Sequence, residues 1–185
     1  AEIEDLVFRP IGTGNDEPAP VPTAKIEGDF EYEMIKDMAV ITKYTGSDSR
    51  LVLPDKIDGF PVRIEATVFS ESPIEEVTIP AAIKDYSYAF RNCKTLKTVH
   101  LQRGIKTISS GAFSHCPALE EIEIPESVES IGVRAFEYSG LKRITIPGTV
   151  KTVDVQAFHY CSALEEVRIT GNIESWGNTG NGHFA

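Results

Sequence analysis

The feature that most constrains this chain is a recurrence. An apolar residue opens the same spelling at Ile74, Leu96, Leu119, Leu141 and Leu164, so the spacing alternates between 22 and 23 residues. A period of this size marks a solenoid: one unit cannot bury its apolar face alone, and copies stack to make a continuous core. Aligned on the openers, each column holds one kind of residue. Three positions on come Val77, Val99, Ile122, Ile144 and Val167, and five on come Ile79, Leu101, Ile124, Ile146 and Ile169. Nine on come Ile83, Ile105, Val128, Val150 and Ile173; each unit then runs to Phe90, Phe113, Phe136 or Phe158, with Phe69 closing an earlier, irregular copy.

The stretch after each opener alternates with period 2, and Val and Ile fill its inward sites. It reads as a short strand, parallel to its copies and about 4.8 Å from each neighbour. Pro80, Pro125 and Pro147 follow it. Lacking an N–H, proline suits the place where a ladder stops. The arm that returns to the Phe is expected to be a helical turn or 3₁₀ piece. The expected fold is thus an α/β-type or mostly-β repeat solenoid with one parallel sheet of about six rungs.

Four segments follow. Residues 1–27 are acidic and carry Pro18, Pro20 and Pro22, an extended linker by composition. In residues 28–49 two strand-like runs flank Lys36-Asp37, which predicts a β-hairpin. Its place before the array suits a cap, which a first coil needs to cover its apolar edge. Residues 50–176 hold the repeats, with a small excursion at Asp58-Gly59 in the first coil. Residues 177–185 are a Gly/Asn-rich tail in which the pattern is lost.

The net charge is −10, of which residues 1–50 contribute −6 (11 acids, 5 bases). That balance repels a phosphate backbone, so nucleic acid is not an expected partner. No apolar run reaches the roughly 18 residues of a membrane span. The chain opens on Ala1-Glu2-Ile3 without Met or leader, which predicts a removed export signal or a start inside a longer protein.

The full spelling is L-x-x-[IV]-x-[IL]-P-x-x-[IV]-x-x-[IV], followed by A-F-x-x-C-x-x-L. It resembles the bacterial BspA-like (Treponema-type) leucine-rich repeats, over residues 50–176. The Ala-Phe-x-x-Cys element carries the likeness; a generic leucine-rich repeat has Asn eight positions after the opener, where this chain has Ala82, Gly104, Ser127, Thr149 and Asn172. The resemblance implies a right-handed coil in a secreted or cell-surface protein of a bacterium, used for adhesion or ligand capture.

Candidate chemistry is sparse. Cys93, Cys116 and Cys161 each sit three residues after a repeat Phe, with Ser139 in the same slot between the last two. Equal phase makes them one inward column of buried free thiols. A Cys93–Cys116 disulfide is the alternative, within reach on adjacent rungs although side chains pointing the same way do not face each other. His100, His115, His159 and His183 form no metal-ligand spacing, and no Gly-x-Ser-x-Gly elbow occurs. No catalytic, cofactor or metal residue is therefore assigned, and no enzyme is expected.

The outward strand columns alternate in sign. The residue after each opener reads Glu75, Lys97, Glu120, Lys142 and Glu165; the next reads Glu76, Thr98, Glu121, Arg143 and Glu166. The third outward column is Thr78, His100, Glu123, Thr145 and Arg168. Self-neutralising ladders explain most of this pattern. Thr78, His100, Glu123, Thr145, Arg168, Glu121, Arg143 and Glu166 are the candidate positions for a protein or glycan ligand. Tyr138 and Tyr160 sit on the outer turn, where ordinary packing is expected ahead of ligand contact. At the C-terminal end Trp176 stands where Ile131 and Val153 stood, and no capping hairpin follows. Self-association through that end is a second expectation, and a structural spacer or assembly module is the rival to a binding module.

Overall fold

The computed structural model describes residues 25–177; the Pro-rich segment up to residue 24 and the tail from 178, Phe184 included, lie outside the described residues. Strands and turns alone make up the described fold. It opens with β1 (Lys25–Glu27), β2 (Phe30–Ile35) and β3 (Met38–Tyr44), an antiparallel meander whose second turn is Lys36-Asp37. Next come β4 (Arg50–Val52), β5 (Lys56–Ile57) and β6 (Phe60–Ile64). β5 and β6 form a second hairpin around Asp58-Gly59, both at positive φ (52° and 82°), the backbone a two-residue hairpin turn needs. β6 pairs in parallel with β3, so the cap is a five-stranded sheet, β1-β2-β3-β6-β5, larger than the hairpin read from sequence. The first coil lends the cap two of its strands.

The coils then stack. β7 (Glu76–Ile79), β8 (Thr98–Leu101), β11 (Arg143–Ile146) and β13 (Glu166–Ile169) are the strand arms, in the register set by the openers. A second parallel ladder occupies another face: β9 (Thr107–Ile108), β10 (Ser130–Ile131), β12 (Thr152–Val153) and β14 (Ser175–Trp176). One core runs through all of it, from Tyr32 and Ile41 in the cap to Phe158 and Cys161. Rings mark its axis: Phe30, Tyr44, Phe69, Phe90, Phe113, Phe136 and Phe158 follow one another with centroids 4.7–5.9 Å apart.

The return arm is not the helical piece the spacing suggested. Its amides alternate between two destinations. Tyr88, Phe90 and Asn92 donate to Ser110, Ala112 and Ser114 of the next coil at 2.9–3.2 Å, whereas Ala89, Arg91 and Cys93 donate three residues back at 3.1–3.2 Å. An α-helix would send every amide four residues back and a 3₁₀ helix three, so the pairing of alternate amides with the neighbouring coil excludes both. The alternation requires a left-handed residue on either side of the ring. Thr67, Tyr88, Gly111, Arg134 and Gln156 lie two before each Phe, and Glu71, Asn92, His115, Tyr138 and Tyr160 two after, all with φ between 55° and 64°. A bulky residue pays roughly 1–2 kcal/mol for this conformation, offset here by a satisfied backbone. At Gly111 glycine is also required by space, since a Cβ would meet the Tyr88 ring at 2.2 Å.

The strand face differs from the single continuous sheet expected. It is two ladders, β4-β7-β8 and β11-β13, separated at the Leu119 coil. Residues 119–124 hold strand position and bury Ile122 and Ile124, yet Glu121, Ile122, Glu123 and Ile124 make no backbone hydrogen bond among the described residues. Repeat length is not the cause: the 23-residue step from Leu96 to Leu119 is matched from Leu141 to Leu164, where the strands pair. Charge does not account for the break either, since the step to the Leu141 coil is unpaired although ion pairs cross it. Lys97 is engaged with Glu75, and Glu120 and Glu121 find their cations on the Leu141 coil.

Candidate functional site

The strand arms present every second side chain outward, and the candidate residues fall there by alternation. His100 leaves β8, Arg143 and Thr145 leave β11, and Glu166 and Arg168 leave β13, all exposed. Glu121 and Glu123 come from the unpaired arm between β8 and β11. These seven line one open concavity of about 630 Å3, floored by Val99, Ile122 and Ile144. Thr78, half-buried on β7, is not among its lining residues. The concavity lies over the gap between the two ladders, so free backbone groups and charged side chains share one place. Unpaired amides are tolerable where water or a partner reaches them.

Its electrostatics are mixed. Arg143 Nε lies 3.4 Å from Glu121, and His100 Nε2 lies 3.1 Å from Glu76. Glu123, Glu166 and Arg168 have no ion-pair partner among the described residues. Exposed pairs of this kind contribute roughly 0–1 kcal/mol each, so the side chains are cheap to re-pair with a ligand. No group of three or more His, Cys, Asp or Glu among the described residues is arranged to hold a metal ion. No described helix is long and apolar enough to cross a membrane.

Beside the concavity the first charge column closes pairwise. Lys97 reaches Glu75 at 2.9 Å and Lys142 reaches Glu120 at 2.7 Å. A further ladder, not read from the sequence, runs along the β9-β10-β12-β14 face: Lys106 to Glu129 at 2.5 Å and Lys151 to Glu174 at 3.8 Å. Its signal was present ten positions after each opener, where Lys84, Lys106, Glu129, Lys151 and Glu174 stand.

A family model for the BspA-type leucine-rich repeat region matches residues 62–180 in six copies. The chain belongs to the BspA-type leucine-rich-repeat family. Among solved structures it is similar to a leucine-rich repeat protein from Bacteroides ovatus, with 28% identity and a TM-score of 0.65 over 78% of this chain and 40% of that one. It also shares its fold with the Treponema pallidum leucine-rich repeat protein, at 23% identity and a TM-score of 0.59, over 83% of this chain and 86% of that one. A Bacteroides capillosus leucine-rich repeat protein matches at 23% identity and a TM-score of 0.52, over 80% and 99%. The chain thus spans less than half of the Bacteroides ovatus protein. No curated protein matches it.

The slot three residues after the Phe has a clear job in these BspA-type coils. Cys93 Sγ donates to Phe69 O at 2.9 Å, Cys116 Sγ to Phe90 O at 3.2 Å and Cys161 Sγ to Phe136 O at 3.0 Å. Ser139 lies 3.3 Å from Cys161, and Ser72, in the same slot, donates to Phe69 O at 2.7 Å. The cysteines each serve a carbonyl of an earlier coil and Ser72 one of its own, whereas Ser139 meets the Cys161 sulfur. All three cysteines are free and buried. Burial pushes the Cys93 thiol up to about 12 and raises Cys116 and Cys161 as well, so they are poor nucleophiles at neutral pH.

On the outer turn the residues two after the Phe form a ring column. His115 packs tilted against Tyr138 (4.7 Å, 36°) and Tyr138 stacks on Tyr160 (4.5 Å, 21°). The tyrosines are 44% and 48% exposed, so they are packed, but on each other rather than inside. The stack covers one face of Tyr138 and one of Tyr160, which leaves less ring face for a sugar than two separate tyrosines would offer.

Proposed function

We propose that this protein is a non-catalytic, extracellular or cell-surface interaction module that captures a protein ligand on its strand face. The observation that carries the reading is the concavity over the Leu119 coil. There the exposed side chains of His100, Glu121, Glu123, Arg143, Thr145, Glu166 and Arg168 converge beside unpaired backbone. A protein fits it better than a glycan. The concavity has no Phe, Tyr or Trp to stack on a sugar, and the exposed tyrosines already stack on one another. Four carboxylates (Glu121, Glu123, Glu126 and Glu166) against two arginines favour a ligand segment bearing Lys or Arg. Membership of a family of bacterial repeat proteins supports a binding role, and the surface location rests on that likeness alone.

The test is a binding screen of the folded chain against host matrix proteins and a glycan array, repeated with Glu121→Lys/Glu123→Lys. The expected result is a protein ligand whose binding the double variant weakens at least tenfold, with no glycan bound. Failure on every ligand, together with tight self-association, would move the assignment to the structural or assembly module. The edge of β13, unpaired among the described residues, favours that second reading.

A further inference from the structure

The core columns do not end at the C-terminal face of the solenoid; they reach solvent there. Ile169 is 42% exposed, where Ile79 and Ile146 of the same column are fully buried. Leu164, Val167 and Ile173 are half-exposed, although their counterparts Ile74, Val77 and Ile83 are buried. Val155 adds a further exposed apolar side chain. β13 pairs with β11 on one side and, among the described residues, with nothing on the other. An apolar end beside a free strand edge is a template for another strand.

The sequence of β13 selects the occupant. It reads Glu166-Val167-Arg168-Ile169. Set antiparallel to itself about Val167, residue 166 of one strand stands opposite residue 168 of the other. Glu166 then faces Arg168 twice, and Val167 faces Val167. Both charged residues are exposed, on the same face, and without an ion-pair partner among the described residues. A head-to-tail contact has no such fit: at the other end the matching Leu51 and Leu53 are buried beside the cap sheet. It would also fail to close, whereas pairing about Val167 is a two-fold contact that ends with two copies.

We propose that a second copy of this chain adds to the β13 edge, antiparallel about Val167, with Glu166 of each copy against Arg168 of the other. The two solenoids join end to end, and the apolar residues around Val167 and Ile169 are covered.

The experiment measures the mass of the full chain by sedimentation across a concentration series, with the same measurement on Arg168→Glu and on Glu166→Arg/Arg168→Glu. The expected mass is twice the 20.3 kDa of the chain. Arg168→Glu sets four carboxylates together across the interface and should weaken the dimer on the order of 100-fold. The double exchange restores both pairs and should recover the dimer. Circular dichroism confirms that each variant is folded. A monomer at every concentration would overturn the proposal. So would a dimer indifferent to Arg168→Glu, a double variant that stays monomeric, or species growing beyond two copies. A chain ending at residue 177 that dimerises while the full chain does not would show that the following residues cover the edge, and would equally refute it.

Discussion

The two ends of this solenoid solve the same problem differently. At the N-terminal end Leu51 and Leu53 open the core columns and are buried beside a five-stranded sheet. At the other end Val167 and Ile169 occupy the same columns, half-buried and exposed. The coils between are nearly interchangeable, so identity of sequence column does not give identity of environment. A rung is stable because of the rung on each side of it, and the last described rung has one side only.

The largest expected effect tests that contrast within one column. Ile79→Ala should cost about 3–4 kcal/mol by denaturant unfolding, the range for a large-to-small change in a packed core. Ile169→Ala should cost less than about 1 kcal/mol when measured dilute. Equal costs in dilute solution would break the comparison, because Ile169 would have to be covered within a single chain.

The thiols provide a second contrast. Each buried cysteine keeps its proton to a higher pH when folded than when unfolded. Their contribution is therefore complete below about pH 9, the ordinary thiol value, and is lost as pH rises toward the raised folded value, about 12 for Cys93. For Cys93 stability should fall by roughly 1 kcal/mol between pH 9 and 10, and Cys116 and Cys161 act in the same direction. Native-state labelling at pH 8 should modify Cys161 before Cys93 and Cys116, because fraying starts from the open end. After denaturation all three should label; a count of one would mean a disulfide. Equal native rates would mean that both ends open together.

Smaller effects probe the surface shared by all coils. Lys142→Glu replaces the 2.7 Å pair with Glu120 by repulsion and should lower stability by less than about 1 kcal/mol. No change in thermal unfolding would show that the column carries no energy. Smallest is Glu71→Gly, near the capped end, at an exposed left-handed position with φ 60°. Relief of strain there exceeds glycine's entropy cost by about 0.5 kcal/mol, so the melting temperature should rise slightly.

The repeat was legible because it is a packing rule written in residues. The Val/Ile columns at three and five positions after the openers, the Phe column and the Cys/Ser slot follow from each side chain resting on its own copy. The hairpin turn at Lys36-Asp37 and the turn at Asp58-Gly59 were legible for the same local reason. The return arm was not. Its spelling suits a helical turn, and only competition from the next coil's carbonyls turns alternate amides outward. The left-handed Tyr88, Arg134 and Tyr138 contradict local preference and exist because the stack holds them. At the candidate site the outward columns named the residues, but nothing in Leu119-Glu-Glu-Ile-Glu-Ile announced that its strand would go unpaired.

The sequence by itself determined the period, the inward columns and the charge order along the outer ones, since these depend on spacing alone. Tertiary structure decided three other things. It set which rungs pair and where the ladder opens, because charge pairing across a step does not by itself make the backbone ladder: Lys142 and Arg143 reach the Leu119 coil and its strand arm is still unpaired. It built the cap from five strands, because β6 of the first coil finds β3. And it left Ile169 exposed where Ile79 and Ile146 are buried, because exposure is a property of what lies next in space and not of the column a residue belongs to.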